Sequence, residues 1–280
     1  MKAPDLWHRF AGRDAPATDG YPAWVAYEPE LVPPPHLMHD EGITVLEEWF
    51  RWAEEWSMLL RVYGHLTRTS HVLEIGCGLG RTAFAIRYIL TDGRYTGFEI
   101  VRDKIVFLQR TFHVAHPHFS FVWADVANTY YNPAGRHRAN AYAFPAGDSS
   151  QDLVYAASVL THMAPESAAH YIREAARVLR SGGRCLLSVF LLDHYRAGAP
   201  RPSVFGRAAF DFDHHHPSWG RDCALVVPEN PEQMTAFSAS LLTRFASDAG
   251  LEVVEVVPGM WSGSVDRWVG TQDLVVLVRP

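Results

Sequence analysis

Lysine is nearly missing from this chain. Of 25 basic residues set against 31 acidic ones, only Lys2 and Lys104 are lysines, and no run or stripe of positive charge appears. A net charge of −6 without a basic face argues against a protein that grips a nucleic-acid backbone by charge, and equally against one drawn to an anionic membrane surface. Cysteine is scarce too. Cys77, Cys185 and Cys223 are odd in number and scattered, which supports neither a disulfide framework nor a CxxC zinc site. The longest apolar run, CLLSVFLL from Cys185, falls far short of the roughly 20 residues of a membrane-spanning helix. The opening MKAPDLWHRF lacks the apolar centre of a secretory signal. The expectation is a cytoplasmic protein with neither nucleic acid nor membrane as partner.

What is present suits a buried core. Hydrophobic residues make up 48% of the 280 positions, so one elaborated α/β domain is the first expectation. Residues 1–66 read as an arm followed by a helical cap. The arm is rich in Pro and aromatics and includes Pro33-Pro34-Pro35; from Ile43 to Leu66, Leu46, Trp49, Phe50, Ala53, Trp56, Leu59, Leu60 and Tyr63 recur at helical spacing, with Gly64 as the stop. Residues 67–280 then alternate apolar strands with helices, the mark of a parallel sheet covered on both faces. Strands are expected at 71–75, 95–99, 119–124, 152–157, 184–191, 251–257 and 273–278, and helices at 81–90, 102–115, 165–180 and 234–249, with Ser181-Gly182-Gly183 as a helix break. Two insertions interrupt the rhythm, at about 127–148 and 192–233; long loops of this kind tend to be lids or binding loops. The tract AFDFDHHHPSWGRDCALVV in the second has the look of a hairpin.

The informative segment is Val72-Leu73-Glu74-Ile75-Gly76-Cys77-Gly78-Leu79-Gly80-Arg81, a strand entering a glycine-rich turn that opens a helix. Glycines allow the bend and a close ligand approach, and the helix start offers unpaired N–H groups. A dinucleotide fingerprint counted from Gly76 fails at Arg81; counted from Gly78 it ends in Ala83, a tolerated variant, so the glycines alone leave a dinucleotide open. The set at 76, 78 and 80, with Glu74 two residues before the first, resembles motif I of the class I S-adenosylmethionine-dependent methyltransferases. Glu99 at the end of the second strand, Asp125 after the third, DLVYAASVLTHM at the fourth and VLRSGGRCLLSVF at the fifth extend the resemblance in order from Val72 to Leu191.

That resemblance implies a Rossmann-like, seven-stranded and mostly parallel sheet with an antiparallel last strand, and S-adenosyl-L-methionine as cofactor. It implies that Glu99 accepts from both ribose hydroxyls with Ile100 beside it, and that Asp125 accepts from the adenine amino group with the Val126 N–H free for a ring nitrogen. Glu74 then anchors the loop or, through water, the methionine ammonium, while the backbone of Gly76, Cys77, Gly78 and Gly80 and the segment at Ala157 and Ser158 hold the amino-acid end. Arg81 reads as a helix-surface charge in preference to a carboxylate ligand, and Cys77 as a small buried spacer.

Methyl transfer from a sulfonium is an in-line displacement, so alignment and exclusion of water matter most, with a positioned base where the acceptor is a hydroxyl. His162, just beyond the fourth strand, is the candidate base. An N/D-P-P-Y/F tetrapeptide after the fourth strand, as in nucleobase amino methyltransferases of this fold, is replaced here by Ala157-Ser158-Val159-Leu160. Tyr130 and Tyr131 in the first insertion and His214 and His215 in the second are candidate acceptor contacts. Asp211, Asp213 and His214 to His216 read as a polar hairpin edge, and no metal is assigned to them. The segment NPAGRHRA followed by FP, with the later HM, resembles bacterial methyltransferases of sugar and secondary-metabolite modification, which implies O-methylation of a hydroxylated small molecule or saccharide. The rival readings are N-methylation, a non-catalytic cofactor-binding module and a nicotinamide oxidoreductase.

Overall fold

Buried strands of a two-sided sheet carry apolar residues on both faces, and this chain has five such runs before residue 190. The computed structural model describes residues 28–40, 42–43, 45–201 and 210–280. Most of the expected N-terminal arm and part of the second insertion lie outside the described residues. A short helix α1 (Pro35–Asp40) and the long helix α2 (Leu46–Val62) come first. There follow β1 (His71–Ile75), α3 (Arg81–Ile86), β2 (Arg94–Glu99), α4 (Arg102–Arg110), α5 (Phe112–Ala115), β3 (Phe119–Trp123) and β4 (Gln151–Ala156). The rest is α6 (Pro165–Val178), β5 (Leu179–Val189), β6 (Cys223–Leu225), β7 (Thr235–Phe237), α7 (Ala239–Asp248), β8 (Glu252–Val257) and β9 (Asp273–Val278).

Seven strands form one sheet in the order β3-β2-β1-β4-β5-β9-β8. The pairs β1–β2, β1–β4, β2–β3 and β4–β5 are parallel, and β9 runs antiparallel to both of its neighbours. The chain reverses direction of travel between β1 and β4, and the crevice outside the C-terminal strand ends at that point is where open α/β sheets bind ligands.

Each face has its own core. On one, α2 lays Trp49, Phe50, Ala53, Trp56 and Leu60 against the sheet; Trp49 meets the Phe84 ring edge-on at 5.1 Å and Trp56 stacks on Tyr155 at 5.4 Å. Burying one such large side chain contributes about 1.5–3 kcal/mol, which explains why a helix without a side-chain cap at its N-terminus holds its place. The other face packs Leu73, Ile75, Val154 and Ala156 against α6 and α7. Because strand side chains alternate, Glu74 falls on the α2 face together with Val72, inside an apolar layer.

Several boundaries differ from the sequence reading. The 102–115 helix divides at Thr111, whose hydroxyl donates back to the Phe107 carbonyl at 2.9 Å, a bond that competes with the helix ladder. Helix α6, with Pro165 in its first turn, stops at Val178, and Ser181 to Gly183 lie inside an 11-residue β5 where the register against β4 shifts. The helix expected over 234–249 begins only at Ala239, capped by Ser238, whose Oγ accepts from Leu241 N. The residues before it, Thr235–Phe237, pair antiparallel with Cys223–Leu225, and His214 bridges Leu225. The second insertion thus does form strand pairing, with a partner from outside the polar tract.

Candidate active site

Three glycines with positive φ, Gly76 (65°), Gly78 (51°) and Gly80 (74°), carry the chain from β1 into α3. A Cβ at Gly76 would stand 2.6 Å from Val159 Cγ2, so the loop needs glycine there for both backbone angle and space. Gly80 has a packing reason instead, since a Cβ would strike Leu108 at 2.6 Å; it does not line the cavity described next.

A cavity opens over these turns at the C-terminal ends of β1, β2 and β4. It is lined by Glu74, Gly76, Cys77, Gly78, Glu99 and Ile100 on one side and by Val126, Ala157, Ser158, His162 and Tyr131 on the other. Glu99 is buried at the tip of β2, where Oε2 accepts from Gly78 N at 3.0 Å and Oε1 accepts from Ile100 N at 2.8 Å and Val101 N at 2.9 Å. A carboxylate held by three backbone donors is fixed before a ligand arrives, and charge-assisted bonds of this kind exceed neutral ones.

Glu74 lies beneath the loop. Burial pushes its carboxyl up to about 7, while the Tyr95 hydroxyl donates to Oε2 and pulls the other way. Cys77 is buried at the turn, its N–H donating to the Phe98 carbonyl at 3.0 Å.

Ser158, just after β4, takes φ +59°, a strained angle for a residue with a side chain. Two side chains, Ser188 and Gln272, hold it there. Its N–H donates to Ser188 Oγ at 2.7 Å, that hydroxyl donates to Gln272 Oε1 at 2.7 Å, and Gln272 Nε2 donates back to Ser158 Oγ at 2.9 Å. Sequence reading missed Gln272 and Ser188, which stand at distant positions in the chain with no motif to mark them.

His162 ends the 3₁₀ turn Leu160–His162 that follows. Its Nδ1 lies 3.2 Å from the Glu232 carbonyl oxygen and its Nε2 3.4 Å from the Tyr131 hydroxyl. A carbonyl can only accept, so Nδ1 carries the proton in the neutral ring and Nε2 presents its lone pair. The Tyr130 ring lies parallel to the imidazole at 6.5 Å, and the Tyr131 ring meets it edge-on at 5.1 Å. Tyr131 lines the cavity; Tyr130, whose ring meets that of Tyr131 edge-on at 4.7 Å, does not.

Other expected contacts are placed elsewhere. The Asp125 carboxylate accepts from Arg136 Nε at 2.5 Å, an ion pair that holds its carboxyl below the usual range, and Asp125 is not part of the cavity lining. The Val126 N–H expected to be free donates to the Ala124 carbonyl at 2.7 Å, because the first insertion folds back onto this loop and pins it. His214 and His215 do not line the cavity: His214 bridges Leu225 and His215 Nδ1 faces the Cys223 carbonyl at 2.7 Å. Asp211 pairs with Arg201 and Asp213 accepts from Tyr195. Among the described residues no group of three or more His, Cys, Asp or Glu could hold a metal ion, and no helix is long and apolar enough to cross a membrane.

The lining also includes Trp52, Lys104, Asn128, Met163, Phe190, Phe210, Glu232 and Met234, none of which the sequence reading placed at the site. Phe190 and Phe210 touch at 5.4 Å and belong to a third apolar cluster with Phe212 and Trp261.

The residues present fit an adenosyl sulfonium. The glycine turn from Gly76 to Gly78 lines the cavity with main chain, and a fixed carboxylate stands beside it at the end of β2.

Comparison with known proteins agrees. A family model described as a methyltransferase domain matches residues 40–256. The 27-O-demethylrifamycin SV methyltransferase of Amycolatopsis mediterranei (strain S699) is 33% identical over 234 residues, 84% of this chain and 74% of that enzyme. The O-methyltransferase cnsE of Penicillium expansum is 29% identical over 51% of this chain and 45% of its own, so the chain spans less than half the length of that relative. Among solved structures, the CcbJ methyltransferase from Streptomyces caelestis superposes with a TM-score of 0.51 at 15% identity, covering 81% of this chain and 89% of that one. The [4+2]-cyclase SpnF superposes with 0.52 at 15% identity, covering 81% and 80%. From the glycine turn, the carboxylate at the end of β2, the strand order and these matches, the chain belongs to the class I S-adenosylmethionine-dependent methyltransferase family.

Proposed function

We propose that this protein moves the methyl group of S-adenosylmethionine to a hydroxyl of a small-molecule acceptor, with His162 as the base that takes the hydroxyl proton. The observation that carries this reading is the state of His162: Nδ1 is engaged by the Glu232 carbonyl, and Nε2 is turned toward Tyr131 in the cavity that also holds Glu99 and the Gly76 turn. When bound, the cofactor supplies an electrophilic methyl on a sulfonium. The acceptor oxygen gains a bond to the methyl carbon, the carbon–sulfur bond breaks with its electron pair left on sulfur, and the hydroxyl proton passes to His162 Nε2.

Glu99 is proposed to hold the ribose hydroxyls, with Glu74 beneath the loop at the amino-acid end. The adenine contact proposed for Asp125 requires the Arg136 pair to open. Trp52, Met163, Phe190, Phe210 and Met234 give the lining a large apolar share, which supports an acceptor with an apolar ring or chain beside its hydroxyl. The Amycolatopsis relative is named for a methyl group on oxygen, which supports oxygen as the target here. Three free cysteines suit a cytoplasmic setting.

A shared fold does not by itself deliver transfer, and one solved neighbour is named as a cyclase. The test therefore counts methyl groups. The protein is incubated with isotopically labelled cofactor and a panel of hydroxylated aromatic and alicyclic acceptors; labelled ether products together with S-adenosylhomocysteine are expected. Cofactor binding without any turnover across the panel would refute the reading.

A further inference from the structure

His162 is gripped by both insertions. From the first, Asn128 Nδ2 donates to the His162 carbonyl at 3.1 Å, while Asn128 Oδ1 accepts from Tyr130 N at 3.0 Å and Tyr131 N at 2.8 Å. From the second, Glu232 offers its carbonyl oxygen to His162 Nδ1 at 3.2 Å. The insertions are also clasped to each other: Glu232 Oε2 accepts from Thr129 N at 2.6 Å and from Thr129 Oγ1 at 2.8 Å, and Asn230 Oδ1 lies 2.9 Å from the same hydroxyl. One residue therefore does two things. The side chain of Glu232 closes the first insertion on the second, and its main chain sets the proton on the imidazole.

We propose that Glu232 is a positioning residue whose side-chain clasp to Thr129 holds its own carbonyl against His162, so that joining the two insertions fixes the Nδ1–H tautomer. The proposal rests on the reading of His162 as base only for its meaning in the reaction; the clasp and the tautomer are properties of the protein itself. The 3₁₀ turn Pro231–Gln233 that carries Glu232 is only three residues long and has no side-chain cap. Its other ties are local, Gln233 N donating to the Asn230 carbonyl at 2.9 Å and Thr235 Oγ1 to the Pro231 carbonyl at 2.8 Å, so the bonds to Thr129 are what join it to the first insertion. Without the clasp the carbonyl is released, and the imidazole loses the acceptor that favours the tautomer whose Nε2 lone pair faces the Tyr131 side of the cavity. Groups that act through a neighbour in this way affect turnover as orientation and basicity change.

The test reads the tautomer directly. Full-length protein with ¹⁵N-labelled histidine is examined by long-range proton–nitrogen correlation, the His162 signals being assigned by their loss in His162→Gln. In the unaltered protein above the imidazole pKa the Nδ1–H form is expected to dominate. In Glu232→Ala the Nε2–H form becomes the major one, and in Glu232→Gln, which keeps one acceptor oxygen for Thr129, the Nδ1–H form is partly restored. Thr129→Val removes only the hydroxyl half of the clasp and decides the matter if Glu232→Ala does not fold; a reduced Nδ1–H fraction is expected. An unaltered protein dominated by Nε2–H, or an Nδ1–H fraction unchanged in the folded Glu232→Ala or, failing that, in Thr129→Val, overturns the proposal. No acceptor is needed, so failure of methyl transfer with the tautomer shift intact would strike the functional reading and leave this one standing.

Discussion

The backbone N–H of Gly78 donates to Glu99 Oε2 at 3.0 Å, tying the glycine turn after β1 to the end of β2 through the carboxylate proposed to hold the ribose. Glu99→Ala removes that tie and the proposed ribose acceptor together. Hydrogen bonds to a charged group contribute about 1.5–3 kcal/mol, so S-adenosylhomocysteine affinity is expected to fall roughly ten- to a hundredfold. Isothermal titration checks this, and binding within about twofold of the unaltered protein would remove Glu99 from the cofactor site.

Asp125 contrasts with Glu99. Its carboxylate is occupied by Arg136 and stands outside the cavity lining. Asp125→Ala is expected to weaken S-adenosylhomocysteine by less than about threefold, well under one hydrogen bond to a charged group. A loss as large as that of Glu99→Ala would mean that the ion pair opens to receive the adenine.

His162→Gln is expected to leave cofactor affinity in place and to lower turnover by about 10²–10⁴-fold, the range for a positioned general base. Parallel measurement of S-adenosylhomocysteine binding and of single-turnover rate on an accepted hydroxyl compound separates the two effects. Undiminished turnover would end the general-base assignment.

Glu74 makes stability depend on pH. Burial raises its carboxyl from an ordinary 4.5 to about 7 in the folded protein, so between those values the native state holds a proton that the unfolded chain has released. The associated stability is fully present below the unfolded value and is lost as pH climbs through the folded one. Glu74→Gln, which retains an acceptor for Tyr95, is expected to lessen the decline in melting temperature between pH 4.5 and about 7, the window set by those two values. Parallel curves for the two proteins would show that the carboxyl is ionised throughout.

Gly135 marks where the first insertion presses on the loop after β3. A Cβ there would lie 2.4 Å from the Ala127 nitrogen and the Val126 carbonyl carbon, both main-chain atoms that cannot swing aside. Gly135→Ala is expected to destabilise by about 1–3 kcal/mol, as overpacking does, seen as a lower midpoint in urea at unchanged slope.

The sheet was legible because buried parallel strands write themselves as short apolar runs: the β9 bounds coincide with the reading, and β1 through β4 lie within a residue or so of it. The glycine turn was legible because its positive backbone angles demand glycine. Met234 to Phe237 misled because their apolar positions also fit a helical period, and only the distant Cys223–Leu225 segment makes them a strand. Gln272, Ser188 and Glu232 were invisible because they act across long separations; Gln272 reaches Ser158 over 114 positions. The ion pair of Asp125 with Arg136 was not legible, because nothing in the sequence announces that the first insertion will return to that loop.

The three sulfur atoms buried at the turn and in the strands have a practical use. Cys77, Cys185 and Cys223 are all shielded from solvent, and burial pushes the Cys223 thiol up to about 12 and that of Cys185 higher still. A thiol so placed reacts with a disulfide dye only once the surrounding core has parted. Colour released from the unmodified protein then serves as a clock for native-state opening, and its slowing in the presence of a nucleoside would report how firmly that ligand keeps the fold shut.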